Sequence, residues 1–239
     1  MRVFRDSAPV SVRWFEGSLT NLAFNCLDRH VAAGKGDHVC FIWEGNDEED
    51  AAVTLTYAQV LVKVCKMANV LKSLGVGKGD FVALYLPMIL ELPIAMLACA
   101  RIGAIHSVMF GGFAAESLCS RIADSRPKVV ITADGCLRGK KLVPLKATSD
   151  ESLQLSSAAG YDVPHQLVVR RAGNQVTMLP GRDVWWHDLA DAASSDCEVE
   201  WVPAEHPLFI LYTSGSTGKP KAVLHTSAGY MVYSATTFK

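Results

Sequence analysis

The chain has 239 residues, half of them hydrophobic, and 23 Lys plus Arg against 24 Asp plus Glu give a net charge of −1. That is ample material for a buried core in one or two domains, and the absence of a basic tract argues against a nucleic-acid binder. The cysteines at 26, 40, 65, 99, 119, 136 and 197 are scattered without a CxxC pair, as reduced thiols in a non-secreted protein would be, and neither they nor the histidines have zinc-ligand spacing.

In chain order, Met1 to Asp6 is too short and polar for a signal peptide. Leu19, Leu22, Ala23, Cys26, Leu27, His30 and Val31 recur at helical spacing, and Gly34 can end that helix. His38 to Trp43 and Val53 to Thr56 read as a strand and its return, joined by an acidic turn from Gly45 to Asp50. Thr56 and Gln59 form a capping box for a helix that buries Val60, Leu61, Val64, Cys65, Ala68, Leu71 and Leu74, with Gly75 just past its end. Phe81 to Ala100 carries one charge, Glu91. Pro87 and Pro93 divide it into a buried strand and a buried helix rather than a membrane span. The helix runs to about Ile102 and is closed by Gly103. Strands follow at Ala104 to Phe110 and Lys128 to Ala133, with a helix from about Ala115 to Ala123 between them.

Short connections between apolar strands and amphipathic helices predict an α/β fold of right-handed βαβ units with a parallel sheet. Ligands of such folds sit beyond the carboxyl ends of the strands. Two strand ends there are chemically distinctive. Phe110, Gly111 and Gly112 would let a flat group lie on backbone. Arg138, Gly139, Lys140 and Lys141 form a basic turn, whose bland alternative is a solvated surface loop. Ala147 to Gly160 reads as polar and partly helical, Gln166 to Arg170 as a strand, and Asp183 to Ala193 as an amphipathic helix that packs Trp185 and Trp186. His187 and His225 have no evident acid–base partner.

The most specific stretch is Leu208 to Thr226. Apolar Leu208 to Leu211 run into Tyr212 and then into a loop of hydroxyls, glycines and lysines. Gly215 and Gly218 allow backbone amides to approach a ligand. Thr213, Ser214, Ser216 and Thr217 add hydroxyl donors, and Lys219 and Lys221 add charge. That combination suits a phosphate chain. It is not a Walker A loop, because two residues rather than four separate the glycines and Pro220 follows Lys219. A flexible Ser/Gly linker is the alternative.

Tyr212 to Lys221 resembles the signature loop of the AMP-forming, adenylating ligases. The flanks 223–226, 229–233 and 235–239 resemble the acetyl-coenzyme A synthetase family within them. So do 25–30, 42–45, 91–103, His106-Ser107, 110–113, 127–133, 144–146, 181–186 and 207–212. The resemblance covers nearly everything from Val12 to Lys239. It implies the N-terminal part of the large domain of an acyl-adenylating ligase: 51–239 a partial AMP-binding domain, 1–50 a segment packed on it, and the small C-terminal domain absent. It also implies ATP, Mg2+ and coenzyme A as cofactors and acetate as substrate, with no nucleic-acid or membrane partner. Thr213 to Lys221 would hold the ATP phosphates. Arg138 falls on the first arginine of the family's Arg-x-x-Arg grip on the 3′-phosphate of coenzyme A, and Phe110-Gly-Gly112 would lie near its adenine. No metal ligand and no catalytic lysine are placed on this chain.

Lys141 stands where the family has the second arginine, which keeps charge but loses the bidentate fork. Ala222 replaces the glycine that follows the phosphate loop, at a cost of about 1–2 kcal/mol if the position needs positive φ. Ser227-Ala228-Gly229 stands for Thr-Gly-Gly. The resemblance covers well under half of a full synthetase, so the chain alone is expected not to turn over and to leave unpaired sheet edges. The alternatives are another short-chain acyl-CoA synthetase, for propionate, and a non-catalytic truncated nucleotide-binding protein. The expected compartment is intracellular, the cytoplasm first, with an organelle if a transit segment precedes this sequence.

Overall fold

The computed structural model describes residues 4–8, 11–46, 50–213 and 220–238. Its centre is a seven-stranded sheet. The strands are β1 (Phe81–Tyr85), β2 (Ile105–Val108), β3 (Val129–Ala133), β4 (His165–Val169), β5 (Asp183–Trp185), β6 (Pro207–Thr213) and β7 (Lys221–Thr226). Their spatial order is β5-β4-β3-β1-β2-β6-β7, parallel throughout except for the antiparallel β6–β7 pair. All five residues of β3 are buried, as are Val82 to Tyr85 of β1, which is why both strands read as unbroken apolar runs.

Among the described residues six α-helices accompany the sheet: α1 (Tyr57–Ser73), α2 (Glu91–Arg101), α3 (Ala115–Ser125), α4 (Leu145–Ala158), α5 (Trp186–Ala192) and α6 (Ser227–Thr237). Helix α1 packs on α2 and α5, whereas α3 packs on α4. After β2 the chain reverses direction across the sheet, and right-handed crossovers then require helices on opposite faces. Such a reversal marks the carboxyl ends of β1 and its neighbours as the place where ligands of doubly wound sheets bind.

The expected caps are present. The Thr56 hydroxyl accepts from Gln59 N at 3.3 Å, and Gln59 Oε1 accepts from Thr56 N at 2.9 Å. The stretch weighed as a membrane span folds as β1 followed by α2. Among the described residues no helix is long and apolar enough to cross a membrane.

Three local expectations are corrected. Leu19 and Thr20 form a short strand, so the helix begins at Leu22 and passes into wide π-helical turns from Phe24; of the expected face, Ala23 and Leu27 are buried but Cys26 is exposed. Asp183 to Trp185 is the edge strand β5, with the helix starting at Trp186. Trp186 packs in the core, while the Trp185 ring takes Arg170 at 4.4 Å. Ala222 sits in extended β7 opposite Tyr212 and is not among the residues with positive φ, so the strain expected of it does not arise.

The N-terminal segment is clamped to α2. Buried Asn21 donates from Nδ2 to Ala100 O at 2.7 Å and to Glu200 O at 2.9 Å. Arg101 reaches back to Asp28 through paired bonds of 2.9 and 3.0 Å.

Candidate functional site at the carboxyl edge of the sheet

The two distinctive strand ends meet. Phe110 follows β2, and Arg138 lies on a small hairpin after β3 formed by Cys136–Arg138 and Lys141–Val143. The Arg138 guanidinium carbon stands 5.2 Å from the Phe110 ring centroid, within cation–π range. Phe110 is nonetheless 57% exposed. An exposed ring and a fork-shaped cation side by side at one sheet edge are suited to a flat base with a nearby anion.

Of the two glycines of the turn, Gly112 has the tighter surroundings, and Gly111 would meet only ordinary contacts. A Cβ on Gly112 would lie 2.7 Å from Phe110 Cε1, and one on Gly111 would touch Leu86 O at 3.5 Å. Gly139 turns the hairpin at φ +58, where a side chain would be strained. Lys140 and Lys141 are exposed, and Lys141 pairs with Arg138 across the hairpin.

The strand that leads into residues 214–219 ends at the same edge. Strand β6 runs parallel to β2, with Phe209 beside His106 and Ile210 beside Ser107, so Thr213 points off the edge that carries Phe110. Thr213 and Lys221 face each other at the ends of β6 and β7, and Thr213 Oγ1 donates to Lys221 O at 3.5 Å. Ser214, Gly215, Ser216, Thr217, Gly218 and Lys219 lie outside the described residues. The Tyr212 hydroxyl donates to Asp124 Oδ2 at 2.7 Å. Burial, and then that carboxylate, push the Tyr212 phenol above its usual pKa.

Residues 28–239 match the family described as AMP-binding enzyme. The chain belongs to that family. Its relatives include the chloroplastic/glyoxysomal acetyl-coenzyme A synthetase of Arabidopsis thaliana, 53% identical over 97% of this chain and 32% of the relative. The acetyl-coenzyme A synthetase of Yersinia pestis (strain Pestoides F) is 55% identical over 98% of this chain and 35% of its own length. That of Drosophila melanogaster is 50% identical, over 98% and 37%. The chain spans about a third of the length of these relatives.

In this AMP-binding enzyme chain several supporting residues escaped sequence reasoning. Asp134, 1% exposed at the end of β3, accepts backbone N–H bonds from Gly135, Arg171, Ala172 and Gly173 at 2.7 to 2.9 Å. One buried carboxylate thus ties the Arg138 hairpin to the 171–174 segment. Its place in an Asp-Gly pair at a strand end was the available signal.

Below it, Lys146 Nζ is buried against Asp150 at 2.6 Å and Asp183 at 2.8 Å, and also donates to Thr177 O at 2.9 Å. Burial acts to raise the Asp183 carboxyl, but bonds from Arg182, Lys146 and the Leu179 amide outweigh it and hold the pKa at about 2. Of the two histidines without an acid–base partner, the His187 ring accepts from Arg170 N at 3.4 Å, and His225 stacks on Phe209 at 4.5 Å.

Among the described residues no group of three or more His, Cys, Asp or Glu is placed to hold a metal ion. Magnesium is accordingly assigned no residue of this chain.

Proposed function

We propose that this chain forms the nucleotide- and coenzyme A-binding part of an acetate–CoA ligase of the AMP-forming kind. Residues 51–239 are then the partial adenylating domain, and 1–50 pack upon it through Asn21 and Asp28. The reaction has two displacements. An acetate oxygen attacks the α-phosphorus of ATP, and the bond to the bridging oxygen breaks to release pyrophosphate and leave acetyl-adenylate. The coenzyme A sulfur then attacks the acyl carbon, its proton is lost, and AMP leaves with the bonding pair.

This chain's part is to hold charge. Thr213, Ser214, Gly215, Ser216, Thr217, Gly218, Lys219 and Lys221 would surround the β- and γ-phosphates with amide, hydroxyl and ammonium donors, stabilising the pyrophosphate as it departs. Magnesium would accompany those phosphates and neutralise part of their charge. Arg138 and Lys141 would hold the 3′-phosphate of coenzyme A, with Gly139 and Lys140 shaping the turn between them. Phe110, Gly111 and Gly112 would form the floor under its adenine.

The observation that carries this reading is the approach of Arg138 to Phe110. Two motifs about 30 residues apart in sequence meet at the sheet edge where the fold places ligands. Identity above 50% to two acetyl-coenzyme A synthetases over nearly the whole chain supports acetate as the acid. The extended backbone of Ala222 removes one argument for a non-catalytic protein.

Exchange of labelled pyrophosphate into ATP tests it in the native polypeptide carrying this sequence. Acetate-dependent exchange is expected there, and none from the 239-residue chain alone. Faster exchange with propionate would reassign the acid, and no exchange with any short acid would refute the ligase reading.

A further inference from the structure

Arg121 is a buried cation that neither candidate site uses. It lies on α3, 8% exposed, and its Nη1 donates to Ser117 O at 2.6 Å. Among the described residues no carboxylate forms an ion pair with it. Two aromatic rings stand around its guanidinium carbon instead: Phe113, with its centroid at 4.4 Å, and Tyr212, with its centroid at 5.3 Å. A guanidinium is planar and can offer a face to each of two rings, which an ammonium cannot.

Each ring belongs to a different part of the candidate site. Phe113 closes the turn after β2: its amide donates to Phe110 O at 3.0 Å, and its carbonyl accepts from the Tyr85 hydroxyl at 3.0 Å. Its ring meets Phe110 edge-on at 5.8 Å, and Phe110 in turn carries Arg138. Tyr212 is the last residue of β6 before Thr213. Moving either ring would leave a buried cation facing empty space, so the position of one ring sets the free energy of the other.

We infer that Arg121 is a positioning residue that couples the Phe110–Phe113 turn to the Tyr212–Thr213 strand end, so that a ligand ordering one steadies the other. The identity of those ligands rests on the function proposed above. The coupling itself rests only on the shared cation. Reciprocity follows: whatever coenzyme A does to the ATP side, ATP does to the coenzyme A side.

Amide hydrogen exchange on the native polypeptide carrying this sequence tests this in the wild type, Arg121→Lys and Arg121→Met. Without ligand, Arg121→Met should speed exchange at both 111–113 and 211–213 by about fivefold, the lower end of measured couplings between sites. Exchange in β3 should stay unchanged, and Arg121→Lys should fall between. Saturating coenzyme A should slow both segments in the wild type, but only 111–113 in Arg121→Met.

The inference is overturned if Arg121→Met loosens only one segment, or if coenzyme A protects 111–113 of the wild type without affecting 211–213. Should Arg121→Met also loosen β3, Arg121→Lys decides: faster exchange at both segments supports the coupling, and wild-type exchange overturns it. Coenzyme A that alters neither wild-type segment would refute the ligand assignment, while the ligand-free comparison would still decide the coupling.

Discussion

His106 shows what burial does to one ionisable group. It is 2% exposed, its ring stacks on Phe209 at 5.5 Å, and its Nδ1 has no hydrogen-bond partner. Burial lowers its pKa to about 4 from an ordinary 6.5. The folded state therefore keeps the ring neutral, while the unfolded chain takes up a proton below pH 6.5. Its contribution is full above pH 6.5 and declines as pH falls towards 4, by on the order of 3 kcal/mol in total. Urea unfolding from pH 7 to 4.5 should show this loss, and His106→Phe should flatten that limb. Asp183 acts in a lower window: its depressed pKa gives stability that is present above pH 3.8 and is lost as pH falls through 2. Lys146 answers to the same logic of burial. Lys146→Met would leave Asp183 with one cation fewer in a site that excludes water, and should cost about 3–5 kcal/mol in the same measurement.

At the scale of elements, local chemistry fixes where helices begin and stop. The reciprocal bonds of Thr56 and Gln59 satisfy two amides at the start of α1 that the helix itself leaves unpaired. Thr56→Ala should lower stability by about 1 kcal/mol without changing the denaturant slope. The α1, β1, α2 and β3 elements were legible because apolar periodicity, glycines and prolines all pointed one way. Asp183 to Ala193 misled because Val184 and Trp186 fit both a helical and an alternating pattern. Tertiary pairing decides there, since β4 recruits Asp183 to Trp185 as an edge strand. The buried Lys146 of α4 gave no signal in the sequence, because only the fold brings Asp183 to it.

For the whole molecule, the sheet and the candidate site differ in how far sequence alone reaches. Both halves of the site were visible as motifs, and their location followed from the rule that ligands bind at carboxyl edges. Their contact through Phe110 and Arg138 was not, nor was the role of Arg121, whose partners lie 8 residues before it and 91 after it in the sequence. The far edge of the sheet keeps an apolar surface, with Val223 41% and Leu224 50% exposed on β7 and Tyr233 65% exposed on α6.

The central claim is that the carboxyl edge of the sheet holds coenzyme A by its 3′-phosphate. Equilibrium titration of the chain with coenzyme A and with 3′-dephospho-coenzyme A tests it most directly. The phosphate should strengthen binding by about tenfold, as a charge-assisted contact to Arg138 implies, and Arg138→Ala should shrink the difference to what Lys141 alone supplies. Equal affinity for the two compounds in the wild-type chain would contradict the account.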